Sequence, residues 1–188
     1  MLLRRSALLL AFLLGTVSTP LFAQSATPSA AEMMQQAKTQ AAVSHRDILV
    51  IFGASWCGNC HLFAHFLEDP QIKPIVDKAF VTTELMTGEH PGDPRHVNTP
   101  GGLAYEESLS GKPAGWPYFA MLDANGKLIV DSFRPDHGKP HADNIGYPAT
   151  PEEVDWFVHM LQMAAPQLTG AELDTVHRWL TEHSPMHG

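Results

Sequence analysis

The sequence predicts an α/β domain, and three observations predict it. An apolar run, Ile48 to Phe52, leads into Trp56-Cys57-Gly58-Asn59-Cys60, and a helical pattern follows at once. A second strand, Tyr118 to Leu122, follows Trp116-Pro117 and turns at Asp123-Ala124-Asn125-Gly126 into a returning antiparallel strand, Lys127 to Phe133. Helix patterns stand before, between and after these strands, and the last two open with capping boxes.

The elements follow in order. Gln24 to Ala31 is rich in Ser, Ala, Thr and Pro and reads as a flexible lead-in. Glu32 to Val43 is a helix of strong formers, with a weak apolar face of Met33, Ala37, Thr39, Gln40 and Ala41. His45-Arg46-Asp47 is a polar turn before the first strand. Cys60 to Glu68 is the helix after the Cys-x-x-Cys turn, and Leu62, Phe63, Phe66 and Leu67 recur at helical spacing. Asp69-Pro70 interrupts it, since the residue before proline avoids the α region. Gln71 to Lys78 is a short helix and Phe80 to Met86 the next strand.

Thr87 to Gly102 is a long loop of Gly, Pro, His and Asn, a type often functional or mobile. Leu103 to Leu109 is a short helix. In the hairpin turn Gly126 supplies φ > 0. Arg134 to Ala149 is irregular. Thr150-Pro151-Glu152-Glu153 and Thr169-Gly170-Ala171-Glu172 each place an acid three residues after a threonine cap. Val154, Phe157, Val158 and Leu161 form the core face of the first terminal helix; Leu173, Val176 and Leu180 form that of the second.

The chain has only two cysteines, three positions apart. A loop this small adds little stability, so the pair reads as chemistry rather than scaffold. Cys57 falls at a helix N-terminus, where unpaired N–H groups and the helix dipole favour a thiolate. Cys60 lies one turn on, within disulfide reach. The motif reads as a redox-active dithiol.

The first residues read as a targeting signal. Arg4 and Arg5 are followed by an apolar stretch, Ser6 to Val17, and by Leu21-Phe22-Ala23 as a cleavage site. The stretch is short for a membrane span, and no cysteine follows it to carry a lipid; an uncleaved anchor is the competing reading. The expected organisation is residues 1–23 signal peptide, 24–31 lead-in, 32–165 the main α/β domain and 166–188 C-terminal helical extension. The implied location is periplasmic or secreted, with no membrane association after cleavage. The formal charge is −8, and cleavage removes two arginines and no acids. An acidic domain argues against a nucleic-acid partner.

Three signals, in this order, resemble the thioredoxin superfamily. Trp56-Cys57-Gly58-Asn59-Cys60 is similar to that family's Trp-Cys-Gly-Pro-Cys turn. Trp116-Pro117-Tyr118-Phe119 stands where the family places a cis-proline before a strand. Leu122 to Lys127 looks like its hairpin turn. The resemblance covers about residues 32 to 165 and implies a thioredoxin-like fold, a central mixed β-sheet flanked by helices. It implies thiol–disulfide exchange, with Cys57 attacking and Cys60 resolving a mixed disulfide. It implies substrate contacts at Trp56, Gly58, Asn59, Trp116 and Pro117, with Pro117 cis. Partners would be protein thiols or disulfides and a redox partner, with no cofactor. The chain departs from the family at Ile51, where thioredoxins carry a buried aspartate, and Glu84 is a candidate replacement. Asn59 stands in place of the turn proline, and Trp116 is large where the family often has Ile, Val or Thr.

Two other readings of the motif remain open. Cys57-Gly58-Asn59-Cys60-His61 also matches the Cys-x-x-Cys-His pattern of c-type haem attachment, with His61 as the proximal ligand. Metal binding would use the two thiols with His61 and His65, which share a helix face. His90, His96, His137 and His141 lie in loops and read as solvated. An imidazolium at His61 would also lower a cysteine pKa. Trp156 and Trp179 read as packing residues.

Overall fold

The computed structural model describes residues 27–92, 96–110, 114–135 and 143–185. The expected signal segment and His137 and His141 lie outside the described residues. The described chain runs α1 (Ala30–Ser44), β1 (Asp47–Gly53), α2 (Gly58–Glu68), α3 (Lys73–Ala79), β2 (Phe80–Met86), α4 (Gly102–Ser110), β3 (Tyr118–Leu122), β4 (Leu128–Asp131), α5 (Pro151–Ala164) and α6 (Gly170–Glu182).

The four strands form one mixed sheet in the order β2-β1-β3-β4. β1 runs parallel to β2, with Ile51 opposite Glu84. β3 is antiparallel to both β1 and β4. Ile48 to Phe52 of β1 is apolar at every position because both faces of the sheet are covered. Leu49 and Ile51 pack with Phe63, Phe66, Phe119, Phe157 and Leu180, a core shared by α2, α3, α5 and α6. Ile48, Val50 and Phe52 point the other way, onto Met34, Ala37 and Ala41 of α1, with Tyr105 and Leu109 of α4 at the margin. This is the expected α/β architecture, with its mixed sheet flanked by helices.

Some boundaries differ from expectation for local reasons. α1 begins at Ala30, inside the expected lead-in, because Ser29 caps it: its hydroxyl accepts the Glu32 N–H and Glu32 answers at the Ser29 N–H. Met34 rather than Met33 takes the fully buried position on α1. α3 starts at Lys73, two residues late. Asp69 instead holds a turn, its side chain accepting from Gln71 N at 2.8 Å and its carbonyl from Ile72 N at 3.0 Å. β4 is shorter than Lys127 to Phe133. Side chains take over the backbone partners at its end: Ser132 Oγ accepts Phe119 N–H, and Asp131 Oδ1 accepts Phe133 N–H.

The C-terminal helix is continuous with this core. Val176, Trp179 and Leu180 are buried, and the Trp179 ring lies 5.2 Å from that of Phe66. Lys78 on α3 holds Glu172 with two bonds of 2.8 and 2.9 Å, which brings that carboxyl down to about 2. Both expected capping boxes form, at Thr150–Glu153 and Thr169–Glu172. No helix among the described residues is long and apolar enough to cross a membrane.

Candidate active site

β1 ends at Gly53, and the next seven residues carry the two cysteines into α2. Cys57 is the N-cap of α2, in extended conformation, and its Sγ accepts the Cys60 N–H at 3.2 Å. The sulfur thus occupies the place a serine or aspartate oxygen usually takes at a helix start. Cys57 and Cys60 are joined as a disulfide, with Cα atoms 5.2 Å apart. In the reduced form the same Cys60 N–H would face a Cys57 thiolate, and the helix dipole would stabilise it.

Both sulfurs are largely covered. Cys57 and Cys60 cluster with Ala54, and Trp116 packs against them. Trp56, the residue before Cys57, is half exposed. Its indole N–H donates to Gly88 O at 2.8 Å, and its ring meets Trp116 edge-on at 5.9 Å. His90 is exposed, as expected of a loop histidine, and its ring stacks flat on Trp56 at 4.9 Å, which adds it to the aromatic rim. Gly58 and Asn59 form the exposed first turn of α2. The Trp116–Pro117 peptide is cis.

The segment after β2 folds back onto the active turn. Thr87 N and Gly88 N donate to Gly53 O. The buried carboxylate of Glu89 accepts from Ser55 N at 2.5 Å and from Ser55 Oγ at 2.8 Å. Glu89 N in turn donates to Asn98 Oδ1 at 2.8 Å. The long loop, expected to be functional or mobile, is in its described part a brace for the residue two before Cys57. On the far side, Asn144 holds the Pro117 loop. Its Nδ2 donates to Pro117 O at 2.9 Å and to Gly115 O, while its Oδ1 accepts from Ser132 Oγ and Gly146 N. Neither Glu89 nor Asn144 sits in a motif. The groups they hold at the site, Ser55 for Glu89 and Gly115 and Pro117 for Asn144, are 34 and 27–29 residues away, so no local pattern announces them.

Cys60 faces a different environment from Cys57. It lines a cleft of about 160 Å³ together with Ile51, Phe63, Val76 and Glu84. Gly53 lets the two polar groups approach: a Cβ there would lie 3.1 Å from Cys60 Sγ and 3.9 Å from Glu84 Oε1. The Glu84 side chain reaches solvent, yet burial of its carboxyl in the cleft raises its pKa above the ordinary value, and the His61 charge opposes the rise. Glu84 stands opposite Ile51 on the neighbouring strand, in the cleft that Cys60 lines.

His61 Nε2 donates to Ser55 O at 2.8 Å. His65 lies exposed one turn on. Among the described residues no group of three or more His, Cys, Asp or Glu side chains converges on a common point.

A parallel strand–helix–strand unit with a Cys-x-x-Cys disulfide at its turn, joined to an antiparallel hairpin, defines a thioredoxin-superfamily thiol–disulfide oxidoreductase. The chain belongs to the thioredoxin-like family, whose model matches residues 30–124. Among solved structures, it is similar to a disulphide isomerase from Xylella fastidiosa Temecula1, at 14% identity and a TM-score of 0.47 over 87% of this chain and 96% of that one. It is also similar to a DsbH oxidoreductase, at 19% identity and a TM-score of 0.42 over 72% and 83% of the two chains. A thioredoxin-fold protein from Helicobacter pylori matches at 14% identity and a TM-score of 0.38, over 76% and 86%. No curated protein matches the chain.

Proposed function

We propose that the protein is exported by its first 23 residues and exchanges disulfides with protein thiols outside the cytoplasm, through residues 32–165 extended by the C-terminal helix. The observation that carries this reading is the Cys57 sulfur capping α2 while bonded to Cys60. In the reducing direction, the Cys57 thiolate attacks a substrate disulfide, forms a mixed disulfide and expels one substrate thiolate. Cys60 loses its proton and attacks Cys57 Sγ, expelling the second substrate thiolate. The protein gives up two electrons and ends as the Cys57–Cys60 disulfide; the reverse sequence oxidises a dithiol. Trp56, Gly58, Asn59, Trp116 and Pro117 line the site on which the substrate chain would lie.

Glutathione titration of the protein lacking residues 1–23, read by the fluorescence of Trp56 and Trp116 beside the disulfide, tests the reading. A reversible two-electron transition is expected between about −270 and −120 mV, the span from reductants to strong oxidants in this chemistry. The position within that span gives the direction of electron flow. Absence of any reversible transition overturns the reading.

Glu84 is placed to take the Cys60 proton. Below its raised pKa the carboxyl is protonated and cannot accept it; above that pKa it can. The rate of the resolving step should therefore climb with pH through a value higher than an ordinary glutamate's, and the Glu84→Gln protein should lose that limb. Its resolution should slow by about tenfold, below the usual range for general acid–base catalysis because water also reaches the group. Stopped-flow decay of a preformed mixed disulfide, followed from about pH 4 to about pH 9 across the ordinary carboxylate and thiol ranges, checks this. Identical profiles for both proteins would remove Glu84 from the mechanism.

A further inference from the structure

The geometry assigns Thr87 and Glu106 as positioning residues for the Trp116 indole, which together fix one wall of the groove where a cysteine-bearing peptide meets Cys57. The inference rests on the exchange reading above and names what shapes its peptide site.

An indole N–H can only donate. Trp116 Nε1 donates to Thr87 Oγ1 at 3.1 Å. The Thr87 hydroxyl has one proton, and it goes to Glu106 Oε2 at 2.6 Å. The relay therefore has one polarity, from Trp116 through Thr87 to Glu106. A second contact fixes the other end of the ring. A Cβ on Gly88 would lie 2.8 Å from three atoms of the six-membered ring of Trp116, so the indole lies directly on the glycine backbone. Held at its nitrogen and at its far edge, the ring keeps one orientation, edge-on to Trp56 and against the Cys57–Cys60 pair.

Packing alone does not explain these residues. Glu106 is 1% exposed and Thr87 is 5% exposed. The second carboxyl oxygen of Glu106, Oε1, has no hydrogen bond of normal geometry among the described residues, although the Trp116 indole and the Ala114 N–H lie near enough to the carboxyl to oppose the rise that burial gives its pKa. A buried carboxyl is costly, and an apolar residue would fill the same place on α4 more stably. α4 nonetheless buries two polar side chains, Glu106 and Ser110, beside its partly buried Tyr105 and Leu109. The relay accounts for that carboxyl, because it receives the proton that orients Thr87, and Thr87 orients the wall.

The test compares a two-cysteine peptide with dithiothreitol as reductants of the disulfide form. Thr87→Val keeps the shape and removes the hydroxyl. It should raise the peptide KM about tenfold with kcat little changed, the size expected for one lost hydrogen bond. The ratio of peptide to dithiothreitol kcat/KM should fall by the same factor. Thr87→Ser and Glu106→Gln, which keep the hydroxyl and an acceptor for it, should hold the ratio within about twofold of the unsubstituted protein, less than one such bond is worth. Trp116→Phe, which lacks the N–H, should match Thr87→Val, and the double variant should add nothing further. Equal loss against both reductants, or an unchanged ratio in Thr87→Val, would overturn the assignment.

Failure of the exchange reading shows differently: the unsubstituted protein would then react with neither reductant. In that event the Trp116 indole N–H resonance decides the positioning by itself. It should be protected from solvent exchange in the unsubstituted and Thr87→Ser proteins and exposed in Thr87→Val and Glu106→Leu. Equal protection in all four would overturn the relay.

Discussion

Replacing Cys57 with serine should reduce disulfide exchange to the uncatalysed background, while replacing Cys60 with serine should leave the first step intact and stop the second. The two outcomes follow from where the sulfurs sit. Cys57 caps α2 and lies under Trp116, on the side where a substrate would approach. Cys60 lies inside the helix and lines the cleft that holds Glu84. A serine hydroxyl is far less acidic and less nucleophilic than a thiol, so Cys57→Ser has nothing to attack with. Fold and stability should survive, because serine is a strong N-cap and its oxygen can accept the same Cys60 N–H. The Cys60→Ser protein should instead accumulate covalent adducts through Cys57. Non-reducing electrophoresis after mixing with a disulfide-bonded protein, with mass mapping of the adduct, distinguishes the cases. Turnover retained by Cys57→Ser, or adducts formed through Cys60, would reverse the assignment of roles.

Phe157→Ala should be the most damaging single truncation in the core near the site. Phe157 is 1% exposed. Its ring meets Phe63 at 6.0 Å, Phe66 at 5.5 Å and Phe119 at 5.7 Å, all close to edge-to-face. These partners come from α2 and β3, so one side chain of α5 ties the helix that carries Cys60 to the sheet. Removing it forfeits the transfer energy of a buried ring, leaves a cavity and breaks three aromatic contacts. The expected cost is about 4 kcal/mol. For a domain of this size that corresponds to a melting point lower by about 8–16 °C. Urea unfolding should show a lower midpoint at constant slope. A loss below about 1 kcal/mol would mean that the neighbours collapse into the space. The reduction potential should also shift, since loosening α2 changes the geometry in which the disulfide closes.

The legible parts of this protein are those written in local pattern. Ile48 to Phe52 is apolar at every position because each sheet face is covered, and its bounds fall within a residue of those of β1. Phe80 to Met86 and Tyr118 to Leu122 match β2 and β3, because proline, glycine and aspartate punctuate them. The threonine–glutamate pairs at Thr150 and Thr169 mark helix starts through contacts three residues long. The same pattern at Ser29 and Glu32 is equally present, hidden by the polar composition of the segment before it. The two cysteines and their place after β1 are likewise a matter of adjacent residues.

Chain order therefore determined the α/β class, the strand–Cys-x-x-Cys–helix unit and the pairing of Cys57 with Cys60, since each depends on residues a few positions apart. Tertiary structure alone decided what surrounds the sulfurs. Glu84 reaches the Cys60 side only because β2 lies beside β1 in the register that sets it opposite Ile51. Glu89 braces Ser55, Asn144 holds the Pro117 loop, and Glu106 anchors Thr87 across 34, 27 and 19 residues. His90 became a wall of the site by stacking on Trp56. Buried polar groups must find partners wherever the fold puts them, and those partners are set by three-dimensional proximity, which has no period in the sequence.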